Sequence, residues 1–359
     1  MKYFHLSLLS VLIATPAFCL QPLELVASFP TQQVTGVGVS QSSGRIFVNF
    51  PYWSADHTIS VAEIKDGKPV PFPDEAWNAK EGDAAKRFVC VQSVIVDDTD
   101  RLWVLDTGSP MQKGVVKGGA KLVQIDLKTD RIARTIPIGD DAAPEKSYLN
   151  DIRVDTKGGH AFITESGIGS IIVVNLESGK ATRFLANHPS TKAETGTELF
   201  VDGIRPIDPA TRGTPTFHAD GIALDVSKGV LYYHALTGHS LYQIRTSVLT
   251  EADASDKSVA AAVSKVGDTD APDGMLESPD GVLLAAFEKN AVVRVNPDTA
   301  KATTIVEDKK LQWPDTLAWG PDQWLYITTS QIHRTPKYNG GQNKLEEPFR
   351  VYRLKVGAH

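Results

Sequence analysis

The sequence predicts an all-β fold, a six-bladed β-propeller with four-stranded blades, and an internal repeat is the first observation behind this prediction. Six times, a short polar segment opens an apolar alternating stretch, which a tight turn connects to a second apolar run. One such hairpin cannot bury its own apolar face, so the copies must pack against one another. The six copies begin at Thr35, Gln92, Asn150, Ala219, Pro272 and Pro314.

The number of strands in each copy is the second observation. Further strand-like sequence with alternating β-branched residues follows every hairpin, and in most copies a turn such as Asp66-Gly67 or Ser178-Gly179 divides it. Four strands per copy make up the blade of a propeller.

The two ends of the chain give the third observation. The last copy is one strand short, whereas residues 23–29 form a strand-like segment without a repeat of its own. We therefore predict that this N-terminal segment supplies the outer strand of the last blade. Closure of this kind covers a sheet edge that would otherwise lack a partner.

Three stretches interrupt the blade pattern and are predicted to be loops: residues 74–86, 186–216 and 251–265. The second is long and rich in Thr, Pro and Gly, and long loops in compact domains tend to be lids or binding loops. The third is rich in Ala, so a short helix is the alternative there.

Composition limits the classes of protein to consider. The chain has 359 residues, of which 42% are hydrophobic and 22% charged, enough apolar material for one large core. Its formal charge of −6 is spread without a basic cluster, so we expect no nucleic-acid partner. The sequence does not indicate an oligomeric state.

The N-terminus has the layout of a secretory signal peptide. Lys2 precedes a short apolar run and then small residues, and the apolar run is too short to span a bilayer. We assign residues 1–19 to the signal peptide and residues 20–359 to a single propeller domain. The mature protein is therefore expected to be secreted or periplasmic, without a membrane anchor. With only Cys19 and Cys90 present, a disulfide framework is excluded.

Several runs of the chain resemble the royal jelly and yellow proteins, including their bacterial relatives. The most specific are RLWVLDTG from Arg101 and LQWPDT from Leu311, and the other matching runs occur in family order over nearly the whole mature chain. The resemblance implies a secreted six-bladed propeller. It also implies one of several activities, because family members bind small amines, take part in dopachrome conversion, or serve as nutrient or structural proteins.

A more distant resemblance is to the senescence marker and gluconolactonase propellers, which hydrolyse sugar lactones with a divalent cation on the central axis. Asn150 with Asp151 is similar to one ligand position of that group, and Asp273 in Pro-Asp-Gly is similar to another. Asp220 stands where those proteins have an Asn-Gly. Thr35 occupies the place of their opening Glu, so one anionic ligand of that set is absent.

The openings of the inner strands are the predicted binding site, because equivalent strand ends converge at one mouth of the propeller channel. The candidate ligand-binding residues there are Gln92, Asn150, Asp220, Asp273 and Asp315. Oxygen donors of this kind suit Ca²⁺ or Mg²⁺, with Asn150, Asp220 and Asp273 as the metal ligands. Asp273 is the candidate catalytic base that activates water. The alternative is that each Asp before Gly is turn chemistry, with its carboxylate capping backbone N–H groups.

Residues outside these openings give weaker candidates. His218 is a candidate proton carrier near the channel, with a loop histidine as the alternative. Trp313 is a candidate ring for an aromatic amine site. Asp106, Glu165 and Glu288 end the second apolar runs of their blades and are expected to be solvated strand ends, or else to face the opposite mouth.

These observations lead to one principal hypothesis and two alternatives. The principal hypothesis is an exported propeller that binds a small molecule at its channel, together with a Ca²⁺ or Mg²⁺ cofactor, and acts as a lactonase-like hydrolase. The first alternative is a non-enzymatic binding protein for aromatic amines, and the second is a dopachrome-type isomerase. No nucleophile elbow, phosphate loop, zinc pattern or dinucleotide motif occurs in the sequence.

Overall fold

Six antiparallel sheets of four strands follow one another along the chain, as the repeat predicts. The structure is a computed structural model that describes residues 22–356. The predicted signal peptide, residues 1–19, lies outside the described residues. Within them the fold is a six-bladed β-propeller, which confirms the predicted fold class.

The first strand of each repeat contacts the first strand of the next, so these six strands form a closed inner ring. Numbered along the chain, the inner strands are β2 (Gly36–Val39), β6 (Val91–Val96), β10 (Leu149–Asp155), β14 (Ala219–Asp225), β18 (Pro272–Ser278) and β22 (Pro314–Trp319). The second strands are β3 (Ile46–Asn49), β7 (Arg101–Asp106), β11 (His160–Glu165), β15 (Val230–Ala235), β19 (Gly281–Ala286) and β23 (Trp324–Thr329).

The third and fourth strands lie farther from the axis. The third strands are β4 (Val61–Lys65), β8 (Lys121–Asp126), β12 (Ser170–Asn175), β16 (Ser240–Arg245), β20 (Ala291–Val295) and β24 (Phe349–Lys355). The outer strands are β5 (Lys68–Pro71), β9 (Arg131–Pro137), β13 (Ala181–Phe184), β17 (Ser264–Asp268), β21 (Ala302–Glu307) and, in the last blade, β1 (Glu24–Phe29). Blades I to VI are numbered here from the blade that begins with β2.

The N-terminal strand closes the ring, as predicted. β1 pairs antiparallel with β24, from Glu24 opposite Arg353 to Phe29 opposite Phe349. The Phe29 ring meets the Phe50 ring edge-on at 4.9 Å, and both side chains belong to an apolar cluster between the first and last blades. Pairing of this kind removes the free edge of β24 and joins the two ends of the chain.

The core lies in layers between neighbouring blades. Between blades II and III, for example, Trp103 and Leu122 pack with Ile152 and Ile163. These side chains come from alternate positions of their strands, which is why the period-2 pattern of the sequence appears in every copy.

Of the predicted loops, residues 251–265 contain the short helix given as the alternative, α2 (Asp256–Ala262), which follows α1 (Thr246–Thr250). Residues 186–216 contain a single turn of 3₁₀ helix, Pro189–Thr191, and a β-bridge between Val201 and Ile204. Other 3₁₀ turns are Ala84–Lys86, Pro110–Gln112, Phe287–Lys289, Pro321–Gln323, Ile332–Arg334 and Pro336–Tyr338. None of the helices in residues 22–356 has the length and apolar character needed to cross a membrane.

The role of β1 in closure gives a first prediction. Phe29→Ala removes a ring that is only 2% exposed, and we expect it to lower the free energy of unfolding by about 3–5 kcal/mol through cavity formation. Leu25→Ala in the same strand is the control, because Leu25 is 58% exposed and its truncation should cost less than about 0.5 kcal/mol. Urea unfolding measures both variants. Equal stability of the two would contradict a structural role for the closure.

Candidate functional site

A cavity of about 980 Å³ opens at the end of the ring where the inner strands begin. We call it the axial cavity. It brings together five side chains that the sequence predicts to converge: Gln92, Asn150, Asp220, Asp273 and Asp315. Thr35, which opens the first repeat, does not line it and instead accepts a hydrogen bond from Asn49 Nδ2 at 2.9 Å.

Irregular backbone places these side chains in the cavity. In blades II to VI the pairing of the first two strands shifts register at the polar opening, for example between Leu149 and Ile152 and between Pro272 and Met275. The hairpin of β2 and β3 has no such shift. A bulge changes the direction of the side chains within it, so the polar residues leave the blade surface and face the axis.

Two glycines in these bulges allow the blades to approach closely. A Cβ atom at Gly221 would lie 2.5 Å from the carbonyl oxygen of Asp273, and one at Gly274 would lie 2.4 Å from that of Asp315. Glycine is therefore required at both positions, since any larger residue would push the neighbouring blade away. The close approach brings the acidic residues of blades IV, V and VI next to one another.

A threonine in the second strand joins neighbouring blades at two other bulges. Thr164 Oγ1 accepts a hydrogen bond from the backbone N–H of Asp151 and donates one to the backbone carbonyl of Asp220. Thr328 Oγ1 makes the corresponding bonds to Thr316 and Thr35. These bonds satisfy bulge groups that have lost their ladder partners.

The floor of the axial cavity is formed by Asn150, Asp220, Asp273 and Asp315, and hydrogen bonds hold several of these side chains in place. Asn150 Nδ2 donates to Asp220 Oδ1 at 2.6 Å, and the Asp220 and Asp273 carboxyl groups are close enough for each to affect the pKa of the other. Trp313 Nε1 donates to Asp273 Oδ2 at 2.6 Å.

The electrostatics of the floor favour protonated carboxyl groups. Burial raises the pKa of Asp273 to about 7, although the hydrogen bond from Trp313 acts in the opposite direction. Burial and then the charges of Asp273, Asp151 and Asp315 raise the pKa of Asp220 well above its usual value. Burial and the charge of Asp273 do the same to the pKa of Asp315. The floor therefore exchanges a proton with solvent near neutral pH.

Trp313 is placed beneath the floor rather than in the cavity wall. Its side chain is completely buried between the rings of Phe287, at 4.2 Å, and His333, at 5.6 Å, and both rings are nearly parallel to it. Its backbone has a φ of 57°, a left-handed conformation that is unusual for a bulky residue. The structure thus holds Trp313 in a strained conformation that directs its N–H to Asp273.

His218 lies beside the cavity wall. Its Nδ1 accepts a hydrogen bond from the backbone N–H of Ala193 at 3.0 Å, and burial together with the charge of Lys192 lowers its pKa. The neighbouring Phe217 lines the cavity instead.

The walls of the cavity contain aromatic side chains that the sequence analysis did not identify. Trp53, Tyr148, Phe217 and Tyr338 line it, and all four lie in loops or 3₁₀ turns outside the strand repeat. Phe217 meets Tyr338 edge-on at 5.9 Å. The repeat contains no signal for these residues, because loops between blades do not follow its period.

Part of the long predicted loop also belongs to the wall. Asp208, Pro215 and Thr216 line the cavity, and the backbone N–H of Ile207 donates to the carbonyl oxygen of Tyr338 at 3.0 Å. Residues 207–216 therefore contribute to the wall beside the 3₁₀ turns of the last blade.

The expectation for Asp106 and Glu165 was wrong. Asp106 pairs with Val91 in the ladder, so it lies at the same end as Gln92 and not at the opposite mouth, because adjacent strands of a hairpin are antiparallel. Asp106 is completely buried and binds Lys121 Nζ at 2.7 Å. Glu165 is likewise buried against Arg183 at 2.9 Å, and Glu288 accepts a hydrogen bond from His239 at 3.0 Å. Asp106 and Glu165 are therefore buried ion-pair partners and not solvated strand ends, whereas Glu288 remains partly exposed.

The predicted metal ligands, Asn150, Asp220 and Asp273, carry oxygen atoms of the type that Ca²⁺ and Mg²⁺ prefer. In this structure their side chains make hydrogen bonds within the protein. Asn150 gives its amide N–H to Asp220, and one oxygen of Asp273 receives the Trp313 N–H. Throughout residues 22–356, no group of three His, Cys, Asp or Glu side chains is arranged to hold a metal ion.

Comparisons with known sequences extend this description. A model of the major royal jelly protein family matches residues 89–358. Protein yellow of Drosophila melanogaster is 27% identical over 278 residues, which make up 73% of this chain and 51% of that protein. Major royal jelly protein 1 of Apis mellifera is 25% identical over 231 residues, 60% of this chain and 51% of that protein. The chain thus spans about half the length of the curated relatives it matches.

Solved structures share the architecture at low sequence identity. A gluconolactonase from Xanthomonas campestris is 12% identical with a TM-score of 0.56, over 93% of this chain and 89% of that one. Regucalcin from Agrobacterium tumefaciens, a calcium-binding protein, is 14% identical with a TM-score of 0.52, over 92% and 94% of the two chains. At these identities the likeness shows the fold alone.

The raised pKa of Asp273 predicts how stability depends on pH. The unfolded chain loses this proton near pH 4, whereas the folded protein keeps it up to about pH 7. Because the folded state binds more protons in this interval, we expect the free energy of unfolding to fall as pH rises from 4 to 7, by up to about 1.4 kcal/mol per pH unit from this group. Asp273→Asn should reduce the slope, as measured by urea unfolding at several pH values.

Asp225→Asn is the matched control with the opposite sign. Burial raises the pKa of Asp225, but hydrogen bonds from Ser227 and Lys228 outweigh it and lower the pKa overall. Loss of this carboxylate should therefore remove stability that is present above pH 4 and lost on acidification. An unchanged slope in Asp273→Asn would contradict the assignment of the titrating group.

Proposed function

We propose that this chain, which belongs to the major royal jelly protein family, binds a small organic cation, of the aromatic amine type, in its axial cavity. The observation that carries the proposal is the acidic floor: Asp220, Asp273 and Asp315 line the cavity together and are buried. The proposal favours the first alternative of the sequence analysis over the metal-dependent hydrolase.

The charge balance of the floor supports a cationic ligand. The largest charges acting on these three carboxyl groups come from other carboxylates. Among the described residues, the buried Arg153 is paired with Asp151, with Nη2 3.9 Å from Oδ2, and not with one of these three carboxyl groups. Buried carboxylates without a counter-charge are unfavourable, and a bound cation would relieve their repulsion.

The aromatic walls support a ligand of this type for a second reason. Trp53, Tyr148, Phe217 and Tyr338 surround the space above the floor. An aromatic face attracts a cation and also packs against an aromatic ring, so these walls suit both ends of an arylalkylamine.

Protons link binding to pH. An ammonium group is stabilised most by ionised carboxylates, so binding should release the proton that the floor holds near pH 7. The same group, Asp273, could transfer a proton to or from a bound ligand, which is what a dopachrome-type isomerase would require.

A divalent-cation-dependent hydrolase is the second candidate, and the oxygen donors of Asn150, Asp220 and Asp273 favour it. These donors match the ligands that Ca²⁺ and Mg²⁺ prefer, and such a cation would polarise a lactone carbonyl. The contribution of the chain itself would be proton transfer by Asp273, the candidate catalytic residue. Within residues 22–356 no group of three His, Cys, Asp or Glu side chains is arranged to hold a metal ion, and this makes the hydrolase the weaker candidate.

Export to the periplasm or the medium stays a prediction. It depends on residues 1–19, which the structure does not describe, and mass spectrometry of the mature N-terminus would test it.

Amine binding is tested with two ligands that differ in one group. Tryptamine carries an ammonium, and indole-3-ethanol carries a neutral hydroxyl on the same ring and linker. We expect tryptamine to bind at least about tenfold more tightly in calorimetry. Its affinity should rise as pH increases from 5 to 7, because Asp273 ionises, and then level off.

The variant Asp273→Asn should weaken tryptamine binding and remove the pH dependence. Asp268→Asn is the control, because that side chain is 79% exposed and lies outside the cavity. Equal affinities of the two ligands in the wild-type protein would contradict the proposal.

The hydrolase candidate has its own test. It predicts that CaCl₂ or MgCl₂ raises the melting temperature of the wild-type protein and supports hydrolysis of gluconolactone. Both effects should disappear in Asp220→Asn and persist in Asp268→Asn. Absence of a thermal shift and of hydrolysis would exclude this candidate.

A further inference from the structure

We propose that Gln92 is a specificity-determining residue, whose side-chain amide donates a hydrogen bond to an acceptor oxygen on the bound amine, opposite the acidic floor. The ligand would therefore carry an acceptor oxygen at the end opposite its ammonium group. This inference rests on the proposed function and specifies its ligand.

A chain of hydrogen bonds determines the orientation of the Gln92 amide. Trp53 Nε1 donates to the hydroxyl of Tyr148 at 2.5 Å, and an indole N–H can act only as a donor. The hydroxyl proton of Tyr148 must then go to another acceptor. Gln92 Oε1 lies at 2.8 Å from this hydroxyl, whereas the alternative acceptor, Cys90 Sγ, is weaker and lies at 3.9 Å.

This series of hydrogen bonds leaves the amide N–H groups of Gln92 without an acceptor among the described residues. Because Oε1 accepts from Tyr148, the amide nitrogen with its two N–H groups is on the other branch of the side chain. Gln92 lines the axial cavity and is only partly buried. No acceptor for these N–H groups is found in residues 22–356, so they are available to a ligand in the cavity.

The position of Gln92 in the ring determines the direction in which a ligand lies across the cavity. Gln92 opens blade II and Asp273 opens blade V, and these two blades are three apart in a ring of six. The hydrogen-bond donor and the central carboxylate therefore face each other across the axis. A ligand that spans the cavity would place its ammonium group at blade V and an acceptor oxygen at blade II.

Tyr148 and Trp53 act through Gln92 and are positioning residues in this arrangement. Without the Tyr148 hydroxyl, the Gln92 amide loses the bond that selects its orientation. Trp53 fixes the direction in which the Tyr148 proton points. A rigid donor contributes more to selectivity than one that must be ordered on binding.

The test compares phenethylamine with 4-methoxyphenethylamine, whose ether oxygen can only accept a hydrogen bond. Calorimetry gives the affinity ratio of the two ligands in the wild-type protein and in Gln92→Leu. We expect the ratio to favour the methoxy ligand about fivefold more in the wild-type protein, the net value of one hydrogen bond. Comparing the two ratios cancels the effect of the size of the methoxy group.

Two further variants complete the experiment. Tyr148→Phe should lower the ratio partway, because it removes the orienting bond and leaves the Gln92 amide in place. Gln243→Leu, on β16 and outside the cavity, should leave the ratio unchanged.

The outcomes separate the inference from the proposed function. If both amines bind and the ratio is the same in the wild-type protein and in Gln92→Leu, the role of Gln92 is overturned and amine binding stands. If neither amine binds the wild-type protein, the proposed function fails and the inference fails with it.

Discussion

The approach of six inner strands to one axis is the constraint on which the site depends. Neighbouring blades come so close at the mouth that Gly221 and Gly274 leave no room for a side chain. The bulges in blades II to VI turn their polar residues out of this contact and into the axial cavity. The close packing of the blades therefore also determines where the polar side chains of the site lie.

That geometry has an electrostatic consequence. Carboxyl groups of blades IV, V and VI are buried beside one another, so each raises the proton affinity of the next. The Trp313 N–H and the Asn150 amide stabilise particular oxygens, and the backbone of Trp313 is strained to do so. Buried like charges and a strained backbone disfavour folding, and such features cluster at functional sites.

The residues of the floor could be predicted because they belong to the repeat. Gln92, Asn150, Asp220, Asp273 and Asp315 occupy equivalent positions in blades II to VI, and equivalent positions in a propeller lie on one circle. The sequence also showed that charge is distributed unevenly among these positions, because the first two blades open with the uncharged Thr35 and Gln92. The aromatic wall could not be predicted, because its residues come from loops whose paths the repeat does not govern.

Strand patterns in the sequence do not predict the surroundings of a side chain, as two kinds of residue show. Asp106 and Glu165 end strands in the sequence, yet both are completely buried, because Lys121 and Arg183 reach them from the neighbouring third and outer strands. Trp313 opens its blade beside Pro314, yet its ring lies below the floor. In each case the sequence specifies the residue type, whereas the partner comes from a distant part of the chain.

The sequence by itself determined the propeller, its closure by the N-terminal strand, its family and the five polar side chains of the mouth. The propeller, its closure and the mouth residues follow from period-2 alternation and from repetition, whereas the family follows from the resemblance of runs such as RLWVLDTG and LQWPDT. The tertiary structure decided the burial of Asp220 and Asp273 beside each other, the aromatic wall and the orientation of the Gln92 amide. These depend on distances of a few ångströms between side chains from different blades, and no local pattern encodes such distances.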